Sequence, residues 1–423
     1  MNFSRAGKSL SAFLEPVKQS LAALAGWIFR YSLGLMIRRD PGLTVVIGRP
    51  GPVFADNSKY FYIWAQQHAL AHERFVFLTD DRVLHVELVS AGGDSIYHPS
   101  LRSICVLARC GNLVTDMAAW SERGIYQLTR GARIMQIWHG APLKHIELDV
   151  FNARLKSMSC WVKNILLAQK AFVGRYPRYN AVVSTSRYFV NAVFANSFRA
   201  DHYIPAGYPR NDVLLKNGAQ TVSPHGLSKI NVDHSALEAL DIARSKGLLV
   251  ALYVPTFRQD MSAPFERSLN FSRLSTFASQ NNLLLIVKLH PVMHGRYQLS
   301  HYSNILEYEP FGDVYPLMAE CDILITDYSS IFFDFLLLDR PVVFFIPDIT
   351  IYVSQDRSMY FPFDSMAPGT ECRNQDELEA CLFTIVQRKG QDDFSMQRAV
   401  VRELTHDYVD DQSAARLLDW LRN

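Results

Sequence analysis

The sequence predicts an α/β fold in which two Rossmann-like halves face a cleft, preceded by an amphipathic helical segment. Three observations carry this. Short β-branched runs alternate with helical stretches, the signature of a parallel sheet covered on both faces. A polar interval at 216–246 separates two such series. A chain of 423 residues is also too long for one hydrophobic core. The implied division is a helical segment at 1–40, one half at 41–215, a linker at 216–246 and a second half at 247–423.

The first segment contains LAALAGWIFRYSLGLMIRR, Leu21 to Arg39. It is apolar, but Arg30 interrupts it, and the uninterrupted part is shorter than the roughly 20 residues a spanning helix needs. No small-residue cleavage site follows, which argues against a signal peptide. Lys8, Lys18, Arg30, Arg38 and Arg39 flank the apolar residues, as in a helix lying on an anionic membrane surface. A helix simply packed on the domain would show a similar stripe.

Buried-type strands are expected at Leu43–Gly48, Arg74–Asp80, Ser103–Ala108, Arg133–Trp138 and Ala181–Ser186, with a helix at Ser58–His72. After the polar interval, strands resume at Gly247–Arg258, Asn282–Pro291, Cys321–Ser330 and Arg340–Asp348. The closing DQSAARLLDWLRN reads as a helix.

Composition excludes several functions. A formal net charge of +2 argues against nucleic acid as a partner. Six cysteines without a C-x-x-C pair fit reduced thiols better than a disulfide framework or a zinc site. His68 and His72 stand at helical spacing, but a metal needs more ligands, so no metal and no cofactor are expected. No phosphate-binding GxxxxGK[ST] loop, GxGxxG fingerprint or GxSxG elbow occurs.

The unusual polar residues fall where predicted strands end, which is where open α/β sheets keep their ligands. His139 follows RIMQIW; Thr256 and Arg258 follow LYV; Lys288 and His290 follow LLLIV; Asp327, Ser329 and Ser330 follow ILIT. Ser329 or Ser330 can cap the next helix, whose free N–H groups favour an anion. An arginine adds two-pronged phosphate contact and a histidine a further donor. Each feature alone would be a cap, a surface ion pair or a structural histidine. Their convergence points to a diphosphate.

WHGAPLK, GYPRND, VPTFR, KLHP, TDYSSIFFDFLLLDRPVVFF and the later Asp348, Tyr352 and Arg357 resemble the CDP-glycerol glycerophosphotransferase family, in order from Gln136 to about Gly369. The resemblance implies a GT-B type fold and transfer of a polyol phosphate, glycerol phosphate first, from a CDP-activated donor to an acceptor hydroxyl. CMP would be released, in teichoic-acid-like or capsule synthesis. The acceptor would be lipid-linked or an oligosaccharide, and the site the cytoplasmic face of the membrane, held peripherally. His139 would be the general base, a role that suits neutral imidazole. Thr256, Arg258, His290, Asp327, Ser329 and Ser330 would bind the donor; Lys144, Arg210, Asp348 and Tyr352 are further candidates. Where the family has TPLK, this chain has Ala141, so a hydroxyl is lost there. A nucleotide-sugar GT-B glycosyltransferase and a non-catalytic nucleotide-diphosphate-binding membrane protein remain alternatives.

Overall fold

The computed structural model describes residues 3–32, 37–215, 226–256, 269–290, 293, 297, 299–349 and 359–423. Two wholly parallel sheets organise them. The first has seven strands: β1 (Asp40–Ile47), β2 (Arg74–Thr79), β3 (Ser95–Tyr97), β4 (Cys110–Thr115), β5 (Arg133–Gln136), β6 (Arg178–Ser184) and β7 (Arg199–Pro205), in the order β3-β2-β1-β4-β5-β6-β7. The second has six: β8 (Leu249–Val254), β9 (Leu283–Val287), β10 (Ile305–Glu307), β11 (Ile323–Thr326), β12 (Val342–Phe345) and β13 (Thr370–Cys372), in the order β10-β9-β8-β11-β12-β13. Strand order reverses between β1 and β4 in one sheet and between β8 and β11 in the other. Those switch points open crevices at the carboxyl ends of the strands.

The strands are buried on both faces, which is why they read as continuous apolar runs rather than alternating ones. Val45 and Ile47 of β1 pack in one cluster with Leu113 and Ile134, while Val46 faces Phe61, Phe75 and Met135 on the other side. In the second sheet, Ala251, Leu285 and Ile325 share one face, and Leu252, Ile286 and Leu324 the other.

One expected strand is a helix. Ser103–Ala108 lies inside the helix Leu101–Arg109, and the strand is the next segment, β4. Ser100 decides this locally. Its Oγ accepts from the Ser103 N–H at 3.1 Å while the Ser103 Oγ accepts from the Ser100 N–H at 2.9 Å. Such a reciprocal cap contributes about 1 kcal/mol to helix formation. Ser103, Val106 and Leu107 are then buried at helical spacing. Within the polar interval, His234–Ser245 also forms a helix, capped by Asp233.

The last helix, Ser413–Arg422, returns to the first sheet. Leu417, Leu418 and Leu421 pack with Phe61, Met135 and Val183, and Asp212 receives the N–H groups of Ser413 and Ala414 at 3.0 and 2.9 Å. The residues nearest the end of the chain thus stabilise its opening half.

The helix Phe3–Tyr31 rests one face on the helix Ile125–Leu128. Gly26 permits that approach, since a Cβ there would lie 2.9 Å from the Gly124 carbonyl oxygen. Its opposite face leaves Leu21, Leu24, Trp27 and Ile28 exposed. Arg39, expected among the basic residues flanking this helix, instead donates to the carbonyls of Leu107, Cys110, Leu128 and Arg130. Unsatisfied carbonyls at the ends of two helices supply that acceptor set. No helix among the described residues is long and apolar enough to cross a membrane.

Candidate active site

His139 lies three residues beyond β5, on a backbone turn held by its neighbours. Asn57 donates to the carbonyls of Ile137 and Trp138 at 3.3 and 2.8 Å, Arg210 to that of His139 at 2.8 Å, and Tyr208 to that of Gly140 at 3.3 Å. Buried Gln136 accepts from the Trp138 N–H. With every carbonyl from Ile137 to Gly140 engaged, the imidazole is presented in one orientation.

Ring chemistry follows from one contact. Nδ1 of His139 lies 2.7 Å from the Asp116 carbonyl oxygen. A carbonyl only accepts, so Nδ1 carries the proton and Nε2 keeps a lone pair. Burial, then the charge of Arg49, pushes the His139 pKa down to about 4. The ring is therefore neutral at physiological pH and able to take a proton. Asp116 itself is buried, and burial together with nearby Asp56 pushes its carboxyl up to about 7.

The two halves meet at this turn. Gly140 has φ +149°, and a Cβ on it would sit 3.1 Å from the Ser330 Oγ and 3.2 Å from the Arg210 Nη2. Ser330, just past β11, therefore lies beside the residue following His139. Ser330 has helical backbone angles and no side-chain cap bond, and the nearest cap-like contact of Ser329 is long, 3.5 Å to the Ile331 N–H. Sequence alone offered Ser329 or Ser330 as the cap of the next helix; Ser330 makes no such bond. The following helix spans only Ile331–Phe335.

Other candidates sort differently. Asp327 is fully buried and accepts from the Thr256 N–H at 3.0 Å and the Thr256 hydroxyl at 2.6 Å. It pins the β8 and β11 ends together at the switch point, and a buried carboxylate would repel an anionic donor, so holding Thr256 is its evident part. His290 follows β9 and is exposed; burial of part of the ring, then Arg49 and Lys288, lowers its pKa. Lys288 donates to the carbonyls of Glu309 and Pro310 at 3.1 and 2.8 Å, and burial pushes its pKa down to about 8. Asp348 is buried and accepts from the Tyr328 hydroxyl at 3.2 Å. Lys144 is half-buried, and its backbone bridges to Met359 of the second half. Arg258, Tyr352 and Arg357 lie outside the described residues.

Arg210 is not placed to meet a substrate. Its guanidinium is buried between Asp56 at 2.6 Å and Asp334 at 2.5 Å, and Tyr315 and Asn211 complete the Asp334 carboxylate. The pair crosses from the first half to the second. A second crossing pair, Lys59–Asp313 at 2.8 Å, is equally buried and shared with the Tyr60 hydroxyl. His68, weighed as a ligand, stacks on Trp64.

Sequence reading missed Arg49, Asp56, Asn57 and Asp116. Asp116 follows β4, so the rule that strand ends carry the chemistry would have found it once β4 was located correctly; Arg49 follows β1, a strand that the sequence does mark, but carried no motif. Asp56 and Asn57 open the helix Asp56–Gln67 and carried no motif.

A sequence profile of the CDP-glycerol:poly(glycerophosphate) glycerophosphotransferase family matches residues 29–423. The chain belongs to that family. Among relatives of this glycerophosphotransferase family member, the teichoic acid poly(glycerol phosphate) polymerase of Bacillus subtilis strain 168 is 30% identical over 251 residues, covering 57% of this chain and 31% of the relative. A teichoic acid glycerol-phosphate transferase of Staphylococcus aureus strain NCTC 8325 is 28% identical over 250 residues, 58% of this chain and 60% of the relative. The matched region thus spans about a third to three fifths of those relatives. The solved wall teichoic acid polymerase TagF superimposes with a TM-score of 0.69 at 21% identity, over 97% of each chain. The two-sheet fold expected from sequence is the fold this glycerophosphotransferase family member has.

Proposed function

We propose that the protein transfers glycerol phosphate from CDP-glycerol to an acceptor hydroxyl of a cell-surface polymer, releasing CMP. The observation that carries this is the neutral His139, its Nε2 lone pair available, next in sequence to Gly140, which Ser330 of the opposite half adjoins. The acceptor hydroxyl gives its proton to Nε2 as its oxygen bonds to the glycerol-bearing phosphorus. The bond from that phosphorus to the bridging oxygen breaks, and CMP leaves with the electron pair. Such transfers depend mainly on positioning and on stabilising charge around phosphorus. The half at 41–215 would handle the acceptor. The half at 247–423 would hold CDP through His290, Ser329 and Ser330, with Thr256 positioned by Asp327.

Peripheral attachment to the cytoplasmic face of an anionic membrane is part of the proposal. The exposed Leu21, Leu24, Trp27 and Ile28 adjoin an apolar groove lined by Pro16, Val17, Leu21, Leu24 and Phe172, and the neighbouring helix Cys160–Val173 exposes Trp161, Val162 and Ile165. Apolar patches of this kind, with Lys18, Lys163 and Lys170 on the same two helices, suit an interfacial anchor. It would hold a lipid-linked acceptor close to His139.

A donor screen tests the function. With a glycerol phosphate oligomer as probe acceptor, CDP-glycerol should give CMP, whereas nucleotide sugars should give no glycosidic product. Turnover of a nucleotide sugar alone would replace this reading with glycosyl transfer, and nucleotide binding without turnover of any donor would make the protein a binding module.

A further inference from the structure

We propose that Arg49 is the acceptor-side contact for the phosphoryl group under transfer, a role that rests on the glycerophosphate-transfer reading. Arg49 stands two residues past the end of β1, beside β4, at the point where strand order reverses. Ligands in open parallel sheets occupy that crevice. The Arg49 Nη2 lies 2.8 Å from the Asp56 Oδ2, and its side chain remains 46% exposed. Asp56 Oδ1 lies 2.6 Å from Arg210, which in turn donates to the His139 carbonyl at 2.8 Å. Two carboxylate contacts and one carbonyl contact thus tether a half-exposed guanidinium to the turn that carries the base.

Asp56 aims this guanidinium while engaging one terminal nitrogen; five N–H donors in a planar fork can still grip two phosphate oxygens. The charge of Arg49 bears on His139 in the first half and on His290 and Lys288 in the second. As the acceptor oxygen attacks, negative charge spreads over the non-bridging oxygens of the glycerol-bearing phosphorus. A fixed cation there stabilises the transition state more than the ground state. In the resting enzyme the same charge helps keep His139 unprotonated.

The test compares the full-length wild type with R49Q and R49K, using CDP-glycerol and a glycerol phosphate oligomer. R49Q should lose about 100- to 1,000-fold in kcat, the range for removing one preorganised transition-state donor. CMP, which lacks the transferred phosphate, should bind R49Q within about twofold of wild type. The acid limb of kcat/KM should move to higher pH in R49Q, because a positive charge near His139 is gone, and return toward wild type in R49K. Asp56 and Arg210, the backbone carbonyl of Asp116, and Asp334 behind Arg210 also face His139, and both variants leave them in place. R49Q turning over within about threefold of wild type, or with an unmoved acid limb, overturns the role. A kcat loss matched by an equal fall in CMP affinity and in unfolding midpoint would also overturn it, reducing Arg49 to a partner of Asp56. An inactive wild type would defeat the transfer reading itself, which is a separate outcome from an active wild type indifferent to R49Q.

Discussion

His139 is tuned by what surrounds it rather than by its own chemistry. An exposed imidazole would be partly protonated near neutrality. Burial and Arg49 remove that proton, and the Asp116 carbonyl selects the tautomer. His139→Ala should therefore lower transfer by two to four orders of magnitude while leaving CDP affinity near wild type in calorimetry. The pH dependence has a definite sign. Protonated His139 cannot accept the acceptor proton, so kcat/KM should be flat from about pH 6 to 7 and fall only as pH drops toward about 4. Because the unfolded chain binds that proton near its ordinary value of about 6.5, this histidine also costs the native state stability as pH falls from there toward about 4. A pH–rate limb near 6.5 would show that the ring is more solvated than its contacts indicate.

At the scale of elements, strands were the most legible part of the sequence. β2, β5, β8, β9, β11 and β12 lie within apolar runs that the residues themselves mark, and β1 and β6 overlap theirs, each beginning three residues earlier. The exceptions have physical causes. Ser103–Ala108 is apolar enough for a strand, but the Ser100–Ser103 cap and a helical burial spacing override its β-branched content. Short edge strands such as β3, β10 and β13 bury too few residues to leave a pattern. Candidate residues at the ends of β5, β8, β9 and β11 could be picked out of the sequence, whereas Arg49 and Asp116 at the ends of β1 and β4 were not; Asp56 and Asp334, which act through tertiary pairing, were not either, because pairing across more than a hundred residues leaves no local spacing. The segments after β9 and β11 carry a donor prediction. His290→Ala and Ser330→Ala should each weaken CDP binding by about tenfold, the value of one hydrogen bond to a charged group. Unchanged affinity in both would remove them from the donor site. The first helix carries another. Leu21→Glu with Trp27→Glu should release the protein from anionic vesicles in flotation while donor binding persists; undiminished flotation would make this helix a packing element only.

In the whole molecule, two buried ion pairs cross between the halves, and the last helix ties the end of the chain to the first sheet. Removing one partner of a buried pair leaves an uncompensated charge, a loss of about 3–5 kcal/mol. Arg210→Met should therefore lower the urea midpoint sharply, more than any exposed substitution such as Arg178→Met, whose ion pair with Asp201 is solvated. A midpoint unchanged by Arg210→Met would mean that the Asp334 charge is relieved elsewhere. Holding the halves together is what sets Ser330 against Gly140, and in the proposed reaction this would bring a donor phosphate within reach of His139. The most direct test of that arrangement is acceptor-dependent CMP release from CDP-glycerol, measured side by side for wild type and His139→Ala. Transfer across the cleft predicts rapid, acceptor-dependent release by wild type and a loss of at least about a hundredfold in the variant. Release at equal rates from both proteins would contradict it.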